Sequence, residues 1–454
     1  MLFAATPPAS IDPIALWVLG GMGLALVWVF GRELRNVPPS LFVLMGAAFL
    51  DMVGLFMVVP LLPFYVKSLA DSGERLFGLP LGLGLLTGVV VSAFTIAQML
   101  AAPWWGRCSD RFGRRPVLMV ALAASGGAFL LFGFAESLWV LVLSRLVQGA
   151  GGGTVGVIQA YVADTVAAEQ RARALGWLSA ATNLGVAFGP VLGSLAVWIG
   201  HHDLWPAEGT QELGRAAPGV FAAMLCAANV LFAWRFLPES RAQSPHQAAA
   251  TTPGSALRTV FAHPGQPASR LLLTYGIAIG AAQGIHPTVV HFLRERHGFG
   301  EATIGYFFMY QGALSVFARI LVLGPTVDRL GEARLVRVGL VTLAAGLAAL
   351  PLTGSLLGLA VVVVLVPLGT ALTFPCLTAL LTQVVAPSER GMYMGLQHTL
   401  GGMARLSAPL LYGVVWDALG IASPFWLAAG LVATTLLFGA GFPRGAVAPT
   451  IPSR

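Results

Sequence analysis

The stretch Leu81 to Leu100, LGLGLLTGVVVSAFTIAQML, contains no charged side chain. A hydrocarbon core of about 30 Å is crossed by about 20 apolar residues in an α-helix, in which every backbone N–H and C=O is bonded internally. Runs of this kind recur along the chain, and they restrict it to one fold class, an all-α polytopic membrane protein. Twelve are readable, over residues 41–66, 82–105, 116–135, 138–163, 174–199, 217–237, 270–292, 302–323, 335–353, 356–385, 392–416 and 424–442. Hydrophobic residues make up 57% and charged residues 10% of the chain, against about 45–50% and about 25% in a soluble domain.

The charges that remain are placed unevenly. Of 26 basic residues, 18 fall on one side of the expected membrane, five on the other (Lys67, Arg75, Arg215, Arg294, Arg296) and three within spans (Arg145, Arg319, Arg405). Cytoplasmic loops carry the excess of Arg and Lys, so the rich side is expected to face the cytoplasm. The net charge of +7 therefore reports topology and not nucleic-acid binding, which would need a basic patch on a folded soluble face. Cys108, Cys226 and Cys376 fall on the cytoplasmic loop or in spans and imply no disulfide framework.

Before these runs, Pro13 to Phe30 is itself of spanning length and is followed by Arg32 and Arg35. Without a basic leader or a small-residue cleavage site it reads poorly as a signal peptide. Residues 1–36 are expected to form an extra transmembrane helix with the N-terminus outside; a mis-assigned start or a loosely held segment is the alternative. Residues 37–237 hold six spans, 238–269 are a Pro-, Ser-, Gln- and Ala-rich cytoplasmic linker, 270–443 hold six more, and 444–454 form a cytoplasmic tail.

The two sets of six repeat each other. GRCSDRFGRRP at Gly106–Pro116 returns as GPTVDRLGEAR at Gly324–Arg334, 218 positions on. EQRARALG at Glu169–Gly176 returns as SERGMYMG at Ser388–Gly395, and Gly189-Pro190 as Ala408-Pro409, both 219 positions on. Two landmarks agreeing within one residue point to a duplicated six-helix unit, the arrangement of parallel repeats about an axis along the membrane normal.

On these residues the chain resembles the major facilitator superfamily. Gly106-x3-Asp110-Arg111-x-Gly113-Arg114-Arg115 is similar to the family's loop motif between helices 2 and 3, and RLVQG at Arg145–Gly149 to its fourth-helix motif. Gly176-x8-Gly185-x3-Gly189-Pro190-x2-Gly193 resembles the fifth-helix signature of drug:proton antiporters, with Ser194 where a second Gly is common. LDMVGLFMVVPLLP at Leu50–Pro63 looks like the first helix of that branch. The resemblance implies two six-helix bundles related by pseudo-two-fold symmetry (the extra N-terminal helix departs from the usual twelve). It also implies a loop that latches the cytoplasmic face shut.

The residues themselves suit those roles. Gly106 and Gly113 permit a tight turn and close helix approach. Asp110 suits a helix N-terminus, and Arg111, Arg114 and Arg115 suit carboxylates or C-terminal carbonyls. Fixing orientation alone would need no Gly, Asp or set spacing. The second copy keeps Gly324, Asp328, Arg329 and Gly331 but has Glu332 and Ala333 where the first has paired arginines, so its latch is expected to be weaker. Gly185, Gly189 and Gly193 share one helix face, and Pro190 bends the helix; their expected work is packing between the bundles.

Asp51 is the one carboxylate expected well inside a span, about 16 Å along its helix at 1.5 Å per residue. Burial raises a carboxyl's pKa towards the range of proton exchange. Arg145 is expected at similar depth, so Asp51 and Arg145 form the candidate proton-coupling pair; a permanent salt bridge, or an Arg bracing carbonyls, are the plainer readings. Weaker candidates for a substrate cavity are Gln98, Gln148, Asn183, His286, Tyr310, Gln311 and Gln397, each of which can instead bond a neighbouring helix. Phe56, Phe64, Phe94 and Phe374 can give an apolar pocket or face lipid. GGGTVG at Gly151–Gly156 fits a dinucleotide pattern, but it sits in an apolar span without the strand such a site needs. No metal-ligand spacing and no nucleophile–base constellation is visible, so neither an enzyme nor a cofactor is expected.

The expected activity is proton-driven export of lipophilic or amphiphilic compounds, of the multidrug or tetracycline kind, by a monomer in a bacterial cytoplasmic membrane. Its partners would be small-molecule substrate, protons and the bilayer. Two rivals remain: proton-coupled uptake of a nutrient or organic anion, for which the intramembrane Arg145 and Arg319 leave room, and a transport-inactive sensor or scaffold.

Overall fold

A computed structural model describes residues 39–152, 154–166, 168–201, 210–239, 258, 260–386 and 389–439. The expected extra helix, most of the linker and the tail lie outside the described residues. Those described are helical, with no strand among them.

In the first half, α1 (Pro39–Val58) passes through a short turn into α2 (Leu62–Asp71). Then come α3 (Leu83–Phe112), α4 (Arg114–Gly133), α5 (Leu138–Gly151) with α6 (Thr154–Thr165), α7 (Ala168–His201) and α8 (Thr210–Phe236). The second half begins with α9 (Pro267–Gly284) and α10 (His286–His297). Next, α11 (Ile304–Phe317) passes through a π-helical turn at Ala318–Leu323 into α12 (Gly324–Leu330). It closes with α13 (Glu332–Ala349), α14 (Leu356–Val363) with α15 (Leu365–Val384), α16 (Arg390–Leu419) and α17 (Ser423–Gly439). Pro60, Pro63 and Pro287 sit in first turns, where a missing N–H costs no helical hydrogen bond.

Among the described residues nine segments are long and apolar enough to cross a membrane. The helices over the seventh and eleventh expected spans are not among them. α9 and α10 are interrupted at Ile285 and end in Arg294, Glu295, Arg296 and His297, while α16 carries Arg390, Arg405 and Asp417. α17 is apolar but short.

The halves are built alike. α1 packs on α7 and α4 on α8; correspondingly α9 packs on α16 and α13 on α17. Both copies of the loop motif turn on a glycine at positive φ, Gly113 at +100° and Gly331 at +71°, where a side chain would be strained. The end carrying these loops is the motif end here, and the opposite one the far end.

Contact between the halves is also made twice, by α3 against α16 and by α11 against α7. A β-carbon at Gly88 would lie 2.6 Å from the Pro409 carbonyl oxygen, and one at Gly305 would collide with the Pro190 carbonyl. Pro190 and Pro409 are the repeat-related pair of the sequence, so the two seams are one contact in duplicate. Backbones meet this closely because helices in lipid gain nothing from burying apolar surface against each other and associate instead through small residues. Gly84 and Gly413 extend the α3–α16 seam, with each one's added β-carbon running into the other's backbone.

Polar groups bolt the far end. The Asp417 carboxylate accepts from the Gly84 and Leu85 backbone N–H groups at 2.9 and 2.8 Å, capping α3 across the seam. The Ser194 hydroxyl accepts from Gly305 N–H at 2.9 Å and donates to the Glu301 carbonyl at 2.9 Å. Buried Thr87 and His291 meet at 2.9 Å. Deeper in, Ser92 donates to the Leu406 carbonyl at 2.7 Å and Arg319 to Asn183 Oδ1 at 3.2 Å. At the motif end the picture reverses: a β-carbon added to Gly106, Gly176, Gly324 or Gly395 would meet nothing within 4 Å. The halves meet at the far end and part towards the motif end.

The fifth-helix glycines do not pack between the bundles as expected. A β-carbon at Gly185 would come within 2.7 Å of Met52 Cβ, one at Gly189 within 2.7 Å of Phe56 Cβ, and one at Gly193 would collide with the Met57 carbonyl. All three seat α7 on α1 within one bundle. The face that reaches the other half begins one residue on, at Pro190, about 100° around the helix.

Two outcomes follow from the seams. Gly413→Ala is expected to overpack the α3–α16 contact by about 1–3 kcal/mol and to lower the thermal unfolding midpoint of the purified protein. Gly395→Ala, in open space on the same helix, is expected not to lower it, since Ala favours a helix over Gly by about 1 kcal/mol. Asp417→Ala removes both cap acceptors, worth about 0.5–2 kcal/mol. Spin labels at exposed Leu79 and Leu419 are expected to show a wider, longer distance distribution in that variant, and an unchanged distribution would refute the bolt.

Candidate functional site: a cavity between the bundles

Where the halves part they enclose a cavity of ≈ 390 Å³, within the range of about 300–1,000 Å³ that suits a small organic ligand. Its walls come from both halves. Leu55, Phe56 and Val59 line it from α1 and the turn that follows, Phe94 and Thr95 from α3, Arg145 from α5, and Asn183 and Pro190 from α7. The second half adds Gln283 of α9 and His286 of α10, Phe308, Gln311 and Ser315 of α11, and Arg319 of the π-turn. Thr370 and Phe374 of α15 and Arg405 and Pro409 of α16 complete it. The two seam prolines are thus wall and seal at once.

Of the seven weaker candidates, Asn183, His286 and Gln311 line this cavity. The others bond elsewhere or are buried off it. Gln98 donates to the Gly152 carbonyl at 3.1 Å, Tyr310 to the Ala360 carbonyl at 3.1 Å, and Gln397 to Thr378 Oγ1 at 2.8 Å. Gln148 is 3% exposed. Phe56, Phe94 and Phe374 line the cavity, while Phe64 lies under the Arg294 guanidinium outside it. Arg319 and Arg405, marked in the sequence by their intramembrane charge, are walls as well.

Asp51 and Arg145 are not brought together. Asp51 is buried, on the face of α1 that carries Ala47 and Gly54. That face meets α8 and α4: Asn229 donates to the Ala47 carbonyl at 2.8 Å, Gly54 abuts Phe129, and the Asp51 carboxyl acts electrostatically on Cys226. Arg145 lies over the Phe132 ring at 5.2 Å, and Phe132 packs on Tyr65 at 4.4 Å between centroids. It therefore stands near the level of Tyr65, about 20 Å along the helix from Asp51 at 1.5 Å per residue. The expected common depth fails because α1 and α2 together run on to Asp71, past the expected span end at residue 66.

At the motif end, Arg114 is the hub. It pairs with Asp110 at 2.7 Å and with Asp164 of α6 at 3.0 Å, and its backbone N–H donates to the Glu239 carboxylate at 2.8 Å. Arg115 donates to the Trp234 carbonyl. These contacts tie α3, α4, α6 and the end of α8 into one unit within the first half. Asp110 and Arg111 remain exposed at the motif end. In the second copy Asp328 and Arg329 are exposed, and Glu332, at the position of Arg114, lies 3.4 Å from Gln383 Nε2. Asp164 and Glu239 escaped the sequence reading because they stand 50 and 125 positions from Arg114. In the fourth helix, Gly149 presses on Phe94 and Ala97 of α3, a packing role.

The comparisons agree with this geometry. The family model of the Major Facilitator Superfamily matches residues 44–322 and 271–450. Tetracycline resistance protein, class B, of Escherichia coli is 28% identical over 373 residues, 81% of this chain and 86% of that protein. Among solved structures, a bacterial homolog of the human lysosomal transporter Spinster, inward-facing and occupied, superposes with a TM-score of 0.69 at 15% identity, covering 89% of this chain and 96% of that one. The human organic anion transporter MFSD10 (TETRAN) superposes with a TM-score of 0.63 at 24% identity, covering 89% and 100%. Two matched halves, duplicated seams and a shared cavity have one family in common: the chain belongs to the Major Facilitator Superfamily, a superfamily of multi-pass membrane transporters.

Proposed function

We propose that the chain is a proton-driven exporter of lipophilic or amphiphilic small molecules, working by alternating access in a bacterial cytoplasmic membrane. The observation that carries this reading is a cavity lined by both halves, sealed at the far end by two repeat-related glycine–proline contacts and approached where the halves part. With most basic residues at the motif end, that opening faces the cytoplasm, the side from which an exporter loads. The resistance relative at 28% identity supports drug-like cargo.

Closing the motif end would bring α16 and α12 towards the exposed Asp110 and Arg111, which the Arg114 hub holds in place. The four motif-end glycines now in open space leave room for that approach. Asp51 carries the proton. It does not line the cavity, so its charge acts through the seat of α1 on α8, and α1 in turn presents Leu55 and Phe56 to substrate. Arg145 belongs to the cavity in this state.

Reconstituted protein under an imposed pH gradient tests the assignment, with a panel of drug-like compounds inside and outside the vesicles. Asp51→Asn is expected to abolish gradient-driven accumulation while leaving downhill exchange measurable. A mutant that accumulates compounds at the wild-type rate would remove Asp51 from the mechanism.

A further inference from the structure

The charge around the cavity is one-sided. Arg145, Arg319 and Arg405 approach it from three helical segments, and among the described residues that line it none is Asp or Glu. Each guanidinium faces mainly neutral groups. Arg145 is 1% exposed; its Nε donates to Ser144 Oγ at 3.3 Å, its face covers Phe132, and its Nη2 has no hydrogen-bond partner among the described residues. Arg319 donates to the amide oxygen of Asn183. Arg405 and the Tyr275 ring lie side by side over Gly401. None of the three takes part in an ion pair among the described residues.

Such an arrangement is costly without a ligand. A buried charged donor without an acceptor costs more than the about 1–3 kcal/mol of a neutral one, and intramembrane arginines are kept for function. Arg319 is moreover carried on the π-helical turn Ala318–Leu323, an irregularity that re-aims side chains and recurs at functional sites. Arg405 lies one turn from the seam proline Pro409. Like charges converging on a cavity of low polarity attract an anion and repel a cation. The remaining walls, Phe56, Phe94 and Phe374 among them, suit an apolar or aromatic body.

We propose that the cavity binds an amphiphilic organic anion: a carboxylate, sulfonate or phosphate held by Arg145, Arg319 and Arg405, with its apolar body against the phenylalanines. The inference rests on the exporter reading for its use and names that site's substrate class. It makes the acidic group the recognised feature, which a cavity for lipophilic cations would exclude. Guanidinium groups suit this task because they bind oxyanions through paired N–H donors and stay charged in a site poor in water.

The test is equilibrium binding to the full chain in phosphatidylcholine nanodiscs, with empty discs subtracted. The probes are 1-anilinonaphthalene-8-sulfonate, N-phenyl-1-naphthylamine, which has the same rings without the sulfonate, and ethidium as a cation. The sulfonate is expected to bind at least about tenfold more tightly than the neutral amine, and ethidium more weakly than either. Arg319→Gln and Arg405→Gln are each expected to weaken sulfonate binding by roughly tenfold, the effect of one charge-assisted contact. Both should weaken the neutral amine less than the sulfonate, so that the preference between the matched probes falls, and an unchanged thermal unfolding midpoint shows that the variants are folded. Competition by phosphatidylglycerol would make a lipid headgroup the source of the anion, and its failure to compete a water-soluble one; both agree with the proposal. Equal affinity for the matched probes, preference for ethidium, or wild-type sulfonate binding by both variants would overturn it. No gradient enters this measurement. Selective anion binding without transport of any compound would thus sink only the exporter reading, and transport of neutral or cationic compounds without anion binding would sink only this inference.

Discussion

Two close approaches of backbone to backbone, Gly88 under the Pro409 carbonyl and Gly305 under the Pro190 carbonyl, hold the halves of this transporter together. In lipid there is no water to expel from a helix interface, so association depends on contact distance and on satisfied polar groups. Glycine supplies the first by removing the β-carbon. Asp417, Ser194 and the Thr87–His291 contact supply the second along the same seams. Everything else is arranged about that fixed end: the cavity lies just beneath the seams, and below it the halves separate.

The motif end is organised on another principle. Nearer the far end α7 seats on α1 within the first half through Gly185, Gly189 and Gly193, whereas at the motif end the Arg114 hub locks loop to helix by ion pairs and a carboxylate cap. Asp110, Arg111, Asp328 and Arg329 are left exposed there. Small residues stand at both ends, pressed on backbone at Gly88 and Gly305 and in open space at Gly106, Gly176, Gly324 and Gly395.

Between the ends lies the cost. Three arginines in a cavity that has no carboxylate among the described residues lining it form an arrangement that packing alone would not select, since a hydrophobic residue of similar volume would fill the space without desolvating a charge. One of them is carried by a π-turn, which breaks the regular helix ladder where the cavity needs a side chain re-aimed.

Much of this was legible in one dimension. Bilayer thickness fixes helix length, so the apolar runs alone gave the all-helical fold. The repeat at 218–219 positions anticipated the paired turns at Gly113 and Gly331 and the paired seams at Pro190 and Pro409, because equal local sequences adopt equal local geometry. What the sequence could not rank was depth and facing. Asp51 and Arg145 looked level until α1 and α2 ran on to Asp71, and Gly189 and Pro190, adjacent in the chain, serve opposite interfaces because one residue turns a helix by about 100°. The partners of Arg114 at Asp164 and Glu239, and the convergence of Arg145, Arg319 and Arg405 on one cavity, join residues far apart in the chain. Local spacing carries helix, turn and repeat; which side chains share a space depends on how whole helices rotate and tilt against each other, and only the packed bundle decides that.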